Sequence, residues 1–231
     1  MSSQLISVSR CLLIAILVMV SLESFAHGVD DNTRTFLEHN EGIQFAPFLY
    51  IGAKHMLTGY DHLLFLGGVV FFLYRSKDIL LYVTLFTLGH SITLLLGVLS
   101  DLQVNAYLID AIIGLSVVYK GFDNLGGFRR WFNCHPNTQW AVLIFGLFHG
   151  LGLATKLQDF ELPSEGLITN LIAFNLGVEV GQFAALAIIL LIINAWRKSA
   201  TFERFAVATN TLLMSAGFML IGYQLTGFVL L

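Results

Sequence analysis

The chain has 231 residues, of which 56% are hydrophobic and 12% charged, with a mean hydropathy of +0.77 and a formal net charge of -3. An ordinary soluble domain carries about 25% charged residues, so a chain this apolar needs lipid to face. The charge excludes a nucleic-acid partner, because the basic residues are scattered through short loops and not gathered on one face.

The N-terminus reads as a secretory signal peptide over residues 1–26. Arg10 supplies the positive start, Cys11 to Val20 the apolar stretch, and Ser24-Phe25-Ala26 a small-x-small cleavage site. An uncleaved signal anchor is the alternative. Cleavage would make His27 the mature terminus, where its amino group and imidazole could chelate a metal ion. It would also remove Cys11 and leave Cys134 without an internal disulfide partner. Residues 27–45, with Asp30, Asp31, Glu38 and Glu41, read as a short periplasmic segment.

Residues 46–231 read as one polytopic transmembrane domain, giving an all-α membrane protein with a bundle of about six helices. Apolar runs predict helices at about 46–74, 79–99, 104–121, 139–157, 167–195 and 205–229. Arg75 and Lys77, then Lys120, Arg129 and Arg130, then Arg197, Lys198 and Arg204 fall in alternate loops, which are expected to be cytoplasmic. Asp101, Asp159, Glu161 and Glu165 fall in the others. This predicts the bacterial inner membrane, with both mature termini periplasmic.

Ionisable groups near mid-bilayer cost several kcal/mol on insertion scales, so each calls for a ligand, a pathway or a partner. The first helix carries His55, Asp61 and His62. In a continuous helix His55 and His62 share a face about 10 Å apart along the axis, with Asp61 turned a quarter turn or more away. His90, flanked by Thr87 and Ser91, His149, and Glu179, flanked by Asn175 and Gln182, lie at similar depths on later helices. Asp110 lies nearer the periplasmic side. Imidazole and carboxylate together suit nickel, cobalt or zinc, and the lack of intramembrane cysteine argues against copper(I). A structural hydrogen-bonding network is the competing reading for these residues. Pairs such as Gly67 and Gly68, Gly146 and Gly150, and Gly177 and Gly181 read as close-approach positions between helices. Phe65, Phe71, Phe72 and Phe86 read as lipid-facing or packing residues.

His55-x5-Asp61-His62, within Gly59-Tyr60-Asp61-His62-Leu63-Leu64-Phe65, resembles the first-helix signature of the HupE/UreJ family of nickel/cobalt permeases. Gly89 to Thr93, Phe148 to Gly152 and Asn175 to Glu179 look like later blocks of that family in the expected order. The resemblance implies a secondary permease for nickel or a related ion, with the first-helix histidines and aspartate needed for transport. The nickel permeases carry a longer histidine-glycine block, with a second histidine and a glutamate. Here the block reads only His149-Gly150-Leu151-Gly152-Leu153-Ala154, the mark of a divergent branch in which Glu179 would replace the missing carboxylate.

The expected metal site is therefore His55, Asp61, His62, His90, His149 and Glu179, with Asp110, Asn175 and His27 as secondary candidates. The expected substrate is a divalent transition-metal ion and the leading class is a transporter, not an enzyme. No phosphate-binding Gly-x4-Gly-Lys-Ser/Thr motif is present, so energy would come from an ion gradient, with protons as suitable counter-ions, from the membrane potential or from a partner. Two rival classes use the same residues: an intramembrane metal-dependent hydrolase with Asp61 or Glu179 as base, and a non-transporting metal sensor or assembly factor. Expected partners are the ion and the bilayer, with a homo-oligomer or a metalloenzyme-maturation partner compatible with either class.

Overall fold

The computed structural model describes residues 42–158 and 165–230. The expected signal peptide, its cleavage site and His27 lie outside the described residues, as do Asp159 and Glu161. Among the described residues there are eight helices: α1 (Phe45–Thr58), α2 (Tyr60–Val70), α3 (Ser76–Leu99), α4 (Ala106–Asn124), α5 (Gly127–Phe132), α6 (Thr138–Gln158), α7 (Leu167–Arg197) and α8 (Thr201–Leu230). Helices α3, α6, α7 and α8 are long and apolar enough to cross a membrane. The chain is a multi-pass membrane protein of all-helical fold.

The first expected helix, 46–74, is two helices separated at Gly59. That residue has φ -73° and ψ 107°, an extended conformation that cannot continue a helix. Its N–H donates to the His55 carbonyl at 2.9 Å to close α1, and its carbonyl accepts from the Leu63 N–H at 3.1 Å to open α2. The other expected helices agree with α3, α4, α6, α7 and α8 to within a few residues at their ends. Lys120, expected in a cytoplasmic loop, lies inside α4, buried and paired with Asp123 at 2.6 Å one turn further on.

Apolar side chains gain little from leaving lipid for a helix interface, so membrane helices associate by close packing at small residues. Three helix pairs are built this way. A Cβ at Gly52 would strike the Phe174 carbonyl, and one at Gly177 the Leu49 carbonyl, so α1 lies backbone to backbone on α7. Gly89, Gly146 and Gly150 do the same for α3 and α6, against the carbonyls of Leu143, Phe86 and His90. Gly114, Gly121 and Gly217 join α4 to α8. Gly67, expected to be a close-approach position, has no neighbour within 4 Å, whereas Gly68 meets Leu213 and Lys120.

The short helix α2 lies among these pairs and helps hold them together. Leu66 and Val70 join the largest apolar cluster, with Met56, Leu94, Phe174 and Val178. Phe65 and Val69 join a second with Phe86, Val117 and Val142, and Phe71, just past its end, joins a third with Phe202. Its C-terminal carbonyls are capped from outside. Arg197 Nη2 donates to the Val70 and Phe71 carbonyls, each at 2.6 Å, and Asn124 Nδ2 donates to the Gly68 carbonyl at 2.8 Å. A guanidinium at a helix C-terminus satisfies orphaned acceptors and opposes the negative end of the helix dipole.

These contacts separate the glycines by role. Gly177→Val is expected to destabilise the fold by about 1–3 kcal/mol or more, through overpacking against the α1 backbone. Gly67→Ala is expected to be neutral or to stabilise by about 0.5–1 kcal/mol, as an open helical glycine allows. Thermal unfolding of the two variants in detergent measures the difference.

Candidate metal centre

The interruption at Gly59 determines where the first-segment histidines lie. The His55 and His62 rings are 5.1 Å apart, edge to face, not the two turns a continuous helix would impose. Because the chain turns between them, the last turn of α1 and the first turn of α2 deliver their imidazoles to the same place. A Cβ at Gly59 would stand 2.8 Å from His62 Nδ1 and 3.1 Å from Asp61 Oδ1, so the space beside the pair depends on glycine, although the extended backbone itself does not. Asp61, expected to point away, turns back. Its Oδ1 accepts from the His62 backbone N–H and is also 2.9 Å from His62 Nδ1. A carboxylate in the first turn of α2 is favoured there by the helix dipole.

Asp61 therefore orients His62. An ionised carboxylate only accepts hydrogen bonds, so Nδ1 carries the proton and Nε2 presents its lone pair. His149 is oriented in the same way by the backbone: its Nδ1 donates to the Phe145 carbonyl at 2.7 Å. His90 is fully buried, and neither of its ring nitrogens has a hydrogen-bond partner; His55 Nε2, His62 Nε2 and His149 Nε2 also lack one. Buried imidazole nitrogens are ordinarily hydrogen-bonded, and several orphans meeting in one place suit a cation.

One ring nitrogen each from His55, His62 and His90 lie within 4.8 Å of one another. Nitrogens bound to a common first-row ion at about 2.0–2.1 Å stand about 3–3.5 Å apart, so modest side-chain rotations close the triad. His149 stands beside it, its ring 4.9 Å from that of His62. Aromatic rings wall the centre. Phe86 lies against His62, His90 and His149, Phe65 against His149, and Phe174 against His55. Phe65 and Phe86 are packing residues rather than lipid-facing ones, and residue type alone does not reveal that they border the site. A cavity of about 10 Å³, near the size of one water molecule, adjoins His62 and is also lined by Met56 and Gln182.

The remaining sequence candidates lie elsewhere. Glu179 and Asn175 line an open groove between α3 and α7 with Thr84, Thr87 and Ser91, outside the histidine triad. Asp110 is buried and paired with Lys156, whose Nζ donates to its two oxygens at 3.0 and 2.8 Å. Sequence spacing singles out neither Gly59 nor Lys156 for these roles. The only signal for the break is a glycine directly ahead of Tyr60-Asp61-His62.

The family model described as HupE / UreJ protein matches residues 31–231. The chain belongs to the HupE/UreJ family. No curated protein and no solved structure matches it. The family is associated with nickel and cobalt transport, and a histidine cluster able to hold a metal ion is what this HupE/UreJ protein carries at its centre.

The geometry assigns different consequences to the two residues beside His62. Asp61→Asn is expected to lower divalent-metal affinity about 10–100-fold, the usual effect of losing the partner that orients a ligand histidine. Gly59→Ala, whose φ an alanine tolerates, is expected to fold but bind metal more weakly, because its Cβ displaces His62. Calorimetric titration of nickel into the detergent-solubilised variants measures both.

Proposed function

We propose that the protein is a secondary permease that carries a divalent transition-metal ion, nickel or cobalt, across the bacterial inner membrane. The substrate site is His55, His62 and His90, oriented by Asp61 and with His149 at its edge. The observation that carries this reading is the convergence of unpartnered imidazole nitrogens from α1, α2, α3 and α6 in a buried, aromatic-walled centre. Such a donor set, with no thiolate, suits borderline ions such as nickel(II) and cobalt(II). Membership of a family associated with nickel and cobalt transport supports the same choice.

Taken together, α1 and α2 make one discontinuous crossing and α4 another, so that with α3, α6, α7 and α8 the chain crosses six times. The basic residues after α2, α4 and α7 face the cytoplasm under the positive-inside rule, and both mature termini face the periplasm. An interrupted helix suits a transport site, because the negative end of α1 and the chain turn at Gly59 both face the ion path. Each imidazole takes metal only in its neutral form, so loading releases protons or competes with them.

The test is uptake of nickel and cobalt, with zinc as comparator, into proteoliposomes holding wild type or His62→Ala at equal density. Saturable wild-type uptake of nickel or cobalt that falls to background in His62→Ala is the expected result. Stoichiometric metal binding without flux in either direction would refute the permease and leave a sensor or an enzyme.

A further inference from the structure

The groove that holds Glu179 has a chemistry of its own. It lies near the midpoints of α3 and α7, has a volume of about 360 Å³, and is lined on its polar side by Thr84, Thr87, Ser91, Asn175 and Glu179. These side chains offer it oxygen. Asn175 Nδ2 is already engaged, donating to the Leu171 carbonyl at 3.1 Å, while its buried Oδ1 has no donor. Glu179 has no hydrogen-bond or ion-pair partner among the described residues. Neither helix supplies a counter-charge, since α7 has no basic residue before Arg197 and α3 none after Lys77 except His90, which faces the other site.

A half-buried carboxylate midway along an apolar helix is balanced by a cation or a proton, and the donors beside this one are hard and suit a cation: carboxylate, amide carbonyl and hydroxyl. One carboxylate balances one monovalent charge, whereas a divalent ion would leave a net charge facing lipid. We propose that this groove binds a sodium ion, separate from the histidine centre, and that sodium is the coupling ion of transport. The binding half stands on the groove alone; the coupling half rests on the permease reading. A polar link joins the two sites. Thr87 borders the groove, and its hydroxyl donates to Gln182 Oε1 at 2.5 Å, while Gln182 borders the small cavity beside His62. Thr87 also stands one turn before His90 on α3, so an ion drawing on its hydroxyl acts on the histidine centre through both α3 and Gln182.

The experiment begins with binding of radiolabelled sodium to the purified full chain in detergent, with no nickel present. Saturable binding by wild type is expected, weakened at least about tenfold in Glu179→Gln and also reduced in Asn175→Leu, the loss of the one charged ligand being the larger. Monodisperse elution of each variant checks that it is folded. Absence of saturable sodium binding by wild type overturns the proposal. The coupling half is read in proteoliposomes, where an inward sodium gradient is expected to accelerate nickel uptake. In detergent, sodium and nickel are expected to tighten each other by the same factor, about tenfold, as linkage requires. Gln182→Leu is expected to retain sodium binding and lose this mutual effect. Uptake that follows a pH gradient and ignores sodium overturns the coupling half, since the carboxylate then carries a proton. Sodium binding that depends on Glu179, in a protein that moves no nickel, supports the groove as a site and overturns the permease reading instead.

Discussion

The extended turn at Gly59 is the constraint on which the rest of the structure depends. A continuous helix through residues 45–70 would hold His55 and His62 two turns apart and turn Asp61 away from both. Breaking the helix leaves one end of α1 and one end of α2 at the same point, each with its dipole exposed. The break also leaves α2 too short to cross a membrane by itself, so its termini must be satisfied from within the protein. Arg197 and Asn124 do this at one end, and the Asp61 carboxylate at the other. The histidine cluster and the caps of α2 are thus two consequences of one local conformation.

Histidines from later helices reach that point because their helices approach so closely. His90 and His149 sit on α3 and α6, whose backbones meet at Gly89, Gly146 and Gly150. The Gly150 contact is with the carbonyl of His90 itself, so the spacing between these two histidine-bearing turns is fixed by main chain and not by adaptable side chains. Close main-chain contact explains how five imidazole nitrogens remain buried without partners: the helices are held by their glycines, so these nitrogens are not needed to join them.

Much of this was legible in the sequence. Apolar runs bounded by polar loops set helix limits to within a few residues, because a bilayer enforces both length and composition. Depth along each run placed His62, His90 and His149 at one level, and the structure brings their rings together. Depth says nothing about which way a side chain faces around its helix axis, and there the two carboxylates part company with the histidines. Glu179 turns to the groove beside α3, and Asp110 is held by Lys156 from the last turn of α6. Lys120 reads in sequence as an orienting loop charge, yet its pairing with Asp123 allows it to stay buried inside α4. The break at Gly59 was the hardest feature to foresee, since a lone glycine in an apolar run equally well signals close helix packing, as Gly52 and Gly177 do.

The pairing of α1 with α7 has a consequence for how the protein is made. Asn170, near the start of α7, donates to the Gly42 carbonyl and accepts from the Gln44 N–H, joining positions as much as 128 residues apart. During synthesis the first segment therefore enters the bilayer long before its partner exists, and α2 must wait longer still for Arg197 to cap it. Until then His55 and His62 belong to a segment whose main packing partner is missing, and the histidine cluster takes its final form only when α7 has been made. In a nascent or truncated chain the histidines consequently lack the neighbours that hold them together, and the cluster is a property of the nearly finished molecule, acquired late in its biogenesis.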